Sequence, residues 1–215
     1  MALKILTNNI VVLFEANITS TSLENLQTSI VSIYRDKNPQ PVTAKFPDLA
    51  ALNIPEAQLS LLLQGRTAVI TDQNIAPYSS KENEKLLRVA IEVVHEIKTP
   101  IEAYGFNYIF EFENGTFDNL SQKIKTNFFA QDSGLTLPAS SNLKYILPFV
   151  VYDYEGKKVS IKVEPVVENN IEQARMRIST NTHFATSSLP ELPQLLSSYN
   201  EIDTHLEEYI GRIFS

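Results

Sequence analysis

The segment that decides the fold is Tyr104-Gly105-Phe106-Asn107-Tyr108-Ile109-Phe110-Glu111-Phe112-Glu113. Every even-numbered position in it is aromatic, whereas most odd-numbered positions are small or polar. Because successive side chains of a β-strand point to opposite faces, this alternation predicts a strand with one buried face. Residues 3–18 predict a second strand of the same kind, since Ile10, Val12 and Phe14 fall on one face.

A helix is predicted after each of these two strands. Thr21-Ser22-Leu23-Glu24 has the pattern of a capping box, in which the Thr21 hydroxyl and the Glu24 carboxylate satisfy backbone N–H groups. Thr116 is expected to cap the corresponding helix in the second half. Each half then closes with a longer amphipathic helix, one opening at Ser79-Ser80-Lys81-Glu82 and the other following residues 186–188.

Short apolar segments between the helices predict hairpins. Residues 58–63 and 67–71 flank Gly65, which can adopt the positive φ of a tight turn. A helix over residues 56–64 is the competing interpretation, so the sequence leaves residues 42–64 open between helix and strand. In the second half, turns at residues 154–157 and 169–170 separate strands over residues 144–153, 158–167 and 171–180.

Together these elements predict an α+β fold with an antiparallel sheet and helices on one face of it. The order of elements suggests an internal duplication of a β-α-β-β-α unit. The first unit covers residues 1–100, and the second covers residues 101–215 and is enlarged by the strand at 171–180. We expect the two units to pack as one compact domain and to leave the other face of the sheet for a ligand, a partner or water.

Composition excludes several classes of function. The 215 residues include no cysteine, which removes disulfides, thiol nucleophiles and cysteine-based metal sites. The formal net charge of −7 disfavours bulk attraction to nucleic acid or anionic membranes. The N-terminal residues lack the pattern of a secretory signal, and no apolar run approaches the roughly 20 residues of a spanning helix. A cytoplasmic protein without membrane contact is therefore predicted.

The positions of the three histidines do not indicate a catalytic or metal site. His95, His183 and His205 show none of the spacings typical of metal sites or catalytic triads. No metal or cofactor is therefore predicted, and structural roles are expected for these residues.

Carboxylates provide the remaining catalytic candidates. Asp132 and Glu155-Gly156-Lys157 have the residue types of a magnesium-dependent nuclease centre, although a turn is the favoured interpretation of residues 155–157. Glu15 and Glu111 occupy similar places in the two proposed units. They could meet near a pseudo-two-fold axis, or each could simply accept from a backbone donor or face solvent.

The clearest surface feature is a basic hairpin over residues 157–177. If Asn169 and Asn170 form its turn, Lys162 lies opposite Arg177, and this like-charged pair favours an anion or an acidic protein partner at the site. The candidate binding residues are Lys157, Lys158, Lys162, Arg175 and Arg177.

Three functional hypotheses follow. The first is a non-enzymatic protein-interaction or scaffolding module that self-associates as a homodimer, with the basic hairpin of one copy against the acidic last helix of the other. The second is binding of nucleic acid or another polyanion to the basic hairpin. The third is a metal-dependent nuclease.

Overall fold

A computed structural model describes residues 3–73, 80–113, 149–169 and 171–214. Short 3₁₀ turns occupy residues 35–37 and 55–57. The strands and helices in chain order are β1 (Leu3–Phe14), α1 (Leu23–Ile33), β2 (Val42–Phe46), β3 (Leu49–Ile54), β4 (Leu59–Gln64), β5 (Thr67–Asp72), α2 (Ser80–Ile97), β6 (Ile101–Glu113), β7 (Phe149–Tyr154), β8 (Lys157–Glu168), β9 (Ile171–Ala185) and α3 (Leu192–Phe214).

The described strands form one nine-stranded sheet in the order β2-β3-β4-β5-β1-β6-β9-β8-β7, and every neighbouring pair is antiparallel. The predicted α+β class with an antiparallel sheet is confirmed. The first strands of the two halves, β1 and β6, pair with each other inside the sheet. The internal duplication stays a prediction.

Residues 42–64 are strands, with only the short turn at residues 55–57 between β3 and β4. The competing helix over residues 56–64 is therefore wrong, and the first half has two more strands than the β-α-β-β-α unit assigned to it. The predicted hairpin is confirmed as β4 and β5, joined through Gly65 at a φ of 57°. Of the two extra strands, β2 is exposed along its whole length, and the buried residues of β3, such as Leu52 and Ile54, alternate over only a few positions.

The alternation in β6 is confirmed, because the aromatic residues at positions 104, 106, 108 and 110 lie in the core. Phe106 and Tyr108 are fully buried, and the Phe106 ring contacts the rings of Tyr104, Phe184 and Tyr199. Tyr199 lies on α3, so this aromatic cluster joins the sheet to the last helix. Buried hydrophobic residues on β1, such as Ile10 and Val12, lie on the same face of the sheet as the aromatic residues of β6, and they extend the core under the helices.

Helix α1 has the N-cap and the buried apolar stripe that the sequence predicts, except that the capping residue differs. Ser22 is the N-cap of α1 and accepts from the backbone N–H of Glu24, whereas Thr21 was expected to fill this role. The apolar stripe of α1 is buried at Leu23, Leu26 and Ile30. Of the helices in the described ranges, none is long and apolar enough to cross a membrane.

Several predicted features lie outside the described residues. They are the helix capped by Thr116, the start of the strand predicted over residues 144–153, and Asp132. The rest of that predicted strand is β7, and the turns after β7 and β8 lie where they were expected, with Gly156 at a φ of 77°.

Candidate interaction surface

The side of the sheet away from the buried core, here called the open face, carries the strand residues that alternate with the core residues. On β2 to β5 and on residues 7–13 of β1 these residues are apolar or uncharged polar, and we call them the uncharged patch. The patch consists of Thr7, Asn9, Val11, Leu13, Val42, Ala44, Phe46, Leu49, Ala51, Asn53, Ser60, Leu62, Gln64, Thr67, Val69 and Thr71.

Strand register arranges the uncharged patch in rows that run across the strands. Directly opposite residues have Cβ atoms about 4.5–5.5 Å apart, so each row is a continuous line of side chains. The polar row is Val42, Asn53, Ser60, Thr71 and Asn9; the apolar row is Ala44, Ala51, Leu62, Val69 and Val11; the third row is Phe46, Leu49, Gln64, Thr67 and Leu13.

The most exposed large hydrophobic residues of the described chain all belong to the open face. Val42 and Phe46 on β2 are 58% and 61% exposed, and Phe149 and Val151 on β7 are 66% and 46% exposed. Single exposed apolar residues are common on proteins, whereas a contiguous apolar patch marks an interaction surface. These four lie on the two edge strands of the described sheet.

A ladder of amide side chains joins the two halves of the open face. Asn107 Nδ2 donates to Asn9 Oδ1 at 2.7 Å, and Asn181 Nδ2 donates to Asn107 Oδ1. Register extends the polar row through these residues, because Asn9 is opposite Asn107 and Asn107 is opposite Asn181. Such side-chain ladders stabilise neighbouring strands, so the centre of the open face is polar and ordered.

Apart from Lys4, which the register places opposite Glu111 near the start of β1, the charged residues described on the open face lie on the other half, on strands β6 to β9. Both signs occur there. They are Glu111, Asp153, Lys158, Lys162, Glu164, Arg175 and Arg177.

The five candidate binding residues do not share one face. Lys158, Lys162, Arg175 and Arg177 lie on the open face, but Lys157 lies on the helix side. The Lys157 ammonium is 2.8 Å from a Glu201 carboxylate oxygen on α3 and 3.7 Å from Glu155. The structure therefore brings together four of the five, and it uses the fifth to attach α3 to the sheet.

The register of the basic hairpin differs from the prediction. Lys162 lies opposite Ser179, and Glu164 lies opposite Arg177, because β9 has two more residues than β8 in the irregularity near Pro165. The predicted like-charged pair of Lys162 and Arg177 is therefore wrong. Because these two side chains are not paired, there is no longer a reason to expect an anion between them.

Most cations of the basic hairpin have carboxylate partners within the chain. Lys162 Nζ is 2.5 Å from Glu164, and Arg175 is 3.2 Å from Glu111 and also paired with Glu168. The Glu168 and Glu111 carboxylates together raise the pKa of Arg175 above its usual value. The hairpin is thus a mixed-sign surface rather than a positive strip.

An aromatic cluster packs α3 against β7. The His205 ring stacks on Tyr154 with centroids 3.8 Å apart, and its Nε2 lies 2.8 Å from the Tyr152 hydroxyl. Burial raises the pKa of Tyr152 to about 12, so its hydroxyl stays protonated at neutral pH. His205 is half-buried and has a packing role, in line with the structural role predicted for it.

The ion pair beside this cluster predicts a pH effect on stability. The hydrogen bond from Lys157 lowers the pKa of Glu201 below its usual 4.5. A carboxylate with a lowered native pKa stabilises the fold above its unfolded pKa, and this stabilisation is lost as pH falls through the native value. When the pH is lowered from neutral to below 4.5, we expect the melting temperature of Glu201→Gln to fall by less than that of the parent.

Thermal unfolding followed by circular dichroism at several pH values measures this difference. Glu191→Gln, an exposed position just before α3, is the matched control and should keep the parent's acid response. An acid response of Glu201→Gln identical to that of the parent would contradict the expectation.

The carboxylates proposed for catalysis that the structure describes, Glu15, Glu111 and Glu155, do not converge. Glu111 lies opposite Lys4 near the start of β1, whereas Glu15 follows its end. These two are therefore about 36 Å apart along β1 at roughly 3.3 Å a residue. Glu155 lies in the β7–β8 turn, beyond β6 and β9. Of the two alternatives for Glu15 and Glu111, the meeting near a pseudo-two-fold axis is wrong, because register places them at opposite ends of the β1–β6 pair.

One group of metal-ligand types occurs elsewhere in the described residues. Glu92, His95 and Glu96 lie at positions i, i+3 and i+4 of α2, on one side of the helix, with their ligand atoms within 4.8 Å of one another. His95 is 74% exposed at its side chain, and its Nδ1 lies 3.7 Å from Glu96. This is an ordinary arrangement for a polar helix surface.

The fold defines this chain as an α+β protein with an antiparallel sheet, whose described helices pack on one face of the described strands. The sequence matches no protein-family model, and no curated protein is significantly similar to it. Sequence reasoning missed the uncharged patch, because its residues come from five strands of which two were not predicted. The absence of charge from the alternate positions of residues 42–71 was the one signal that could have indicated it.

Proposed function

We propose that this protein is a non-enzymatic interaction module that self-associates through the uncharged patch and acts as a homodimer in the cytoplasm. The observation that carries the proposal is the segregation of charge on the open face. In a chain of which 20% of the residues are charged, the outward positions of β2 to β5 and of residues 7–13 of β1 carry no charged side chain. Such a surface loses little on desolvation and gains from apolar contact.

A second copy of the chain is the occupant that fits this patch. Two copies with a net charge of −7 repel each other at long range, so contact is most favourable where neither copy carries charge. An identical patch also offers the same mixture of apolar and Asn, Ser and Thr side chains, and each of these polar groups both donates and accepts hydrogen bonds. Face-to-face packing of the two sheets would form a β-sandwich.

The size of the patch sets the strength of this association. Five strands spaced roughly 4.8 Å apart, each about 17 Å long within the patch, give a flat area of about 400 Å² on each copy. A standard interface takes about 800 Å² from each partner. The homodimer should therefore be weak and concentration-dependent.

Self-association of the hairpin with the acidic last helix, which the sequence suggested, has less support. Lys157 and Glu201 already form that contact within one chain. The same argument weighs against a polyanion on the hairpin, since Glu111, Glu164 and Glu168 lie beside its cations.

The test is the molar mass in solution at increasing protein concentration and at two salt concentrations. We expect a reversible monomer–dimer equilibrium that shifts toward the dimer with added salt, because salt screens the repulsion between acidic copies and strengthens apolar burial. Sedimentation equilibrium measures both effects.

A matched pair of variants on β2 locates the contact. Ala44 and Thr43 are adjacent and exposed, but Ala44 belongs to the open face and Thr43 to the other face. Ala44→Glu should weaken the dimer, whereas Thr43→Glu, with the same change in charge, should leave it intact. A monomer at every concentration would refute the proposal. Association that weakens with salt, or tight binding of a labelled oligonucleotide at low salt, would favour the hairpin hypotheses instead.

A further inference from the structure

We infer that the two copies meet about a two-fold axis that runs parallel to the strands along β4, so that Leu62 of one copy faces Leu62 of the other. This inference rests on the proposed self-association and specifies its geometry. It follows from the way in which the uncharged patch is layered into rows.

The middle strand of the patch is β4, since the order of the five strands is β2-β3-β4-β5-β1. A two-fold axis along this strand exchanges β2 with β1 and β3 with β5, but it keeps every residue at its own level along the strands. The apolar row of one copy then covers the apolar row of the other, with Ala51 facing Val69 and Ala44 facing Val11.

The residues on the axis are compatible with facing their own copies. Leu62 meets an identical leucine, and Ser60 and Gln64 each carry both a donor and an acceptor, so each can hydrogen-bond to itself across the axis. Away from the axis, Asn53 faces Thr71 of the other copy, and both belong to the polar row. No unpaired charge is buried anywhere in this arrangement of the described patch.

An axis across the strands lacks these advantages. Centred on the apolar row, it would invert the order of the rows and lay Asn53 against Leu49 of the other copy. It would also lay the Asn9 amide against Leu13, whereas the axis along β4 sets only one amide of each copy, that of Asn9, against an apolar residue, Val42. A buried polar group without a partner is costly. The layered rows therefore select the axis along β4.

Opposite charges introduced at one position test whether that position lies on the axis. Leu62→Glu and Leu62→Lys should each be monomeric, because two like charges would face each other in the interface, and we expect the dimer dissociation constant to rise about 100-fold or more. An equimolar mixture of the two variants should form a heterodimer with an affinity within about tenfold of the parent. The chain has no cysteine, so a single introduced cysteine can carry a fluorophore for this measurement.

Off-axis positions provide the matched control. Val69→Glu mixed with Val69→Lys should stay monomeric, whereas Val69→Glu mixed with Ala51→Lys should associate, since these residues face each other across the interface. Ser60→Asp and Ser60→Lys repeat the on-axis test at a polar position, in case a Leu62 variant fails to fold as judged by circular dichroism.

The outcomes separate this inference from the proposed function. If the parent protein is monomeric, the proposed function fails and the axis fails with it. If the parent forms a dimer that Ala44→Glu weakens, but neither the Leu62 mixture nor the Ser60 mixture restores association, the axis is refuted and the proposed function stands. Restored association in both mixtures, with none for the two Val69 variants, supports the axis along β4.

Discussion

Replacing Phe106 with alanine should lower the free energy of unfolding by about 3–5 kcal/mol, the range measured for buried aromatic residues. Phe106 is fully buried on β6, and its ring contacts Tyr104, Phe184 and Tyr199. The substitution therefore leaves a cavity at the place where β6, β9 and α3 meet. Because these partners lie on separate elements, we expect little collapse of the surrounding side chains into the space.

Urea denaturation followed by circular dichroism measures the loss. Phe149→Ala is the control, because the Phe149 side chain is 66% exposed and lies outside the uncharged patch, and the same atoms are removed at the edge of the described sheet. We expect the control to change the free energy of unfolding by no more than about 0.5 kcal/mol. Equal losses in the two variants would show that the aromatic cluster is not the centre of the core.

The second large effect is expected at Gly105, where any side chain meets a backbone atom. A Cβ built on Gly105 would lie 2.9 Å from the carbonyl oxygen of Thr182 on β9. The carbonyl belongs to a strand that is paired on both sides, so it cannot move without disturbing the β6–β9 and β8–β9 pairs. We expect Gly105→Ala to destabilise the protein by about 1–3 kcal/mol, the usual cost of overpacking.

Thermal unfolding compares this variant with Ser179→Ala, a control on the same face of β9 that adds no atom. Hydrogen exchange gives a second readout, since the amides of β6 and β9 should lose protection in Gly105→Ala more than those of β3 and β4. An increase in stability, as expected where a glycine is merely flexible, would contradict the close approach.

Local patterns predicted those elements that are long enough for their alternation or helical stripe to be recognised. The alternation over Tyr104–Glu113 and the capped amphipathic stripes gave β6, α1 and α2 without reference to any contact. The strands β2 and β3 were left open because each has only five or six residues, and two prolines nearby disturb any period. Short strands depend on their neighbours for stability, so their own residues carry a weak signal.

For the candidate binding residues too, local pattern predicted the face of the strand but not the contacts between strands. Lys158, Lys162, Arg175 and Arg177 were correctly placed on one face by alternation, but their partners were not predicted. The irregularity near Pro165 moves β9 by two residues relative to β8, which pairs Glu164 with Arg177. Lys157 was assigned to the same surface, but it stands on the other face and binds Glu201 on α3.

The sequence by itself determined the fold class, the buried face of each long strand and the absence of cysteine chemistry, because these depend on residue types and on periods within one segment. Only the tertiary structure decided the order of the strands, their register and the gathering of uncharged residues from five strands into one patch. Strand order and register arise from hydrogen bonds between segments far apart in the chain, and a shift of register changes which side chains meet. The surface on which the proposed function depends is therefore a property of the assembled sheet.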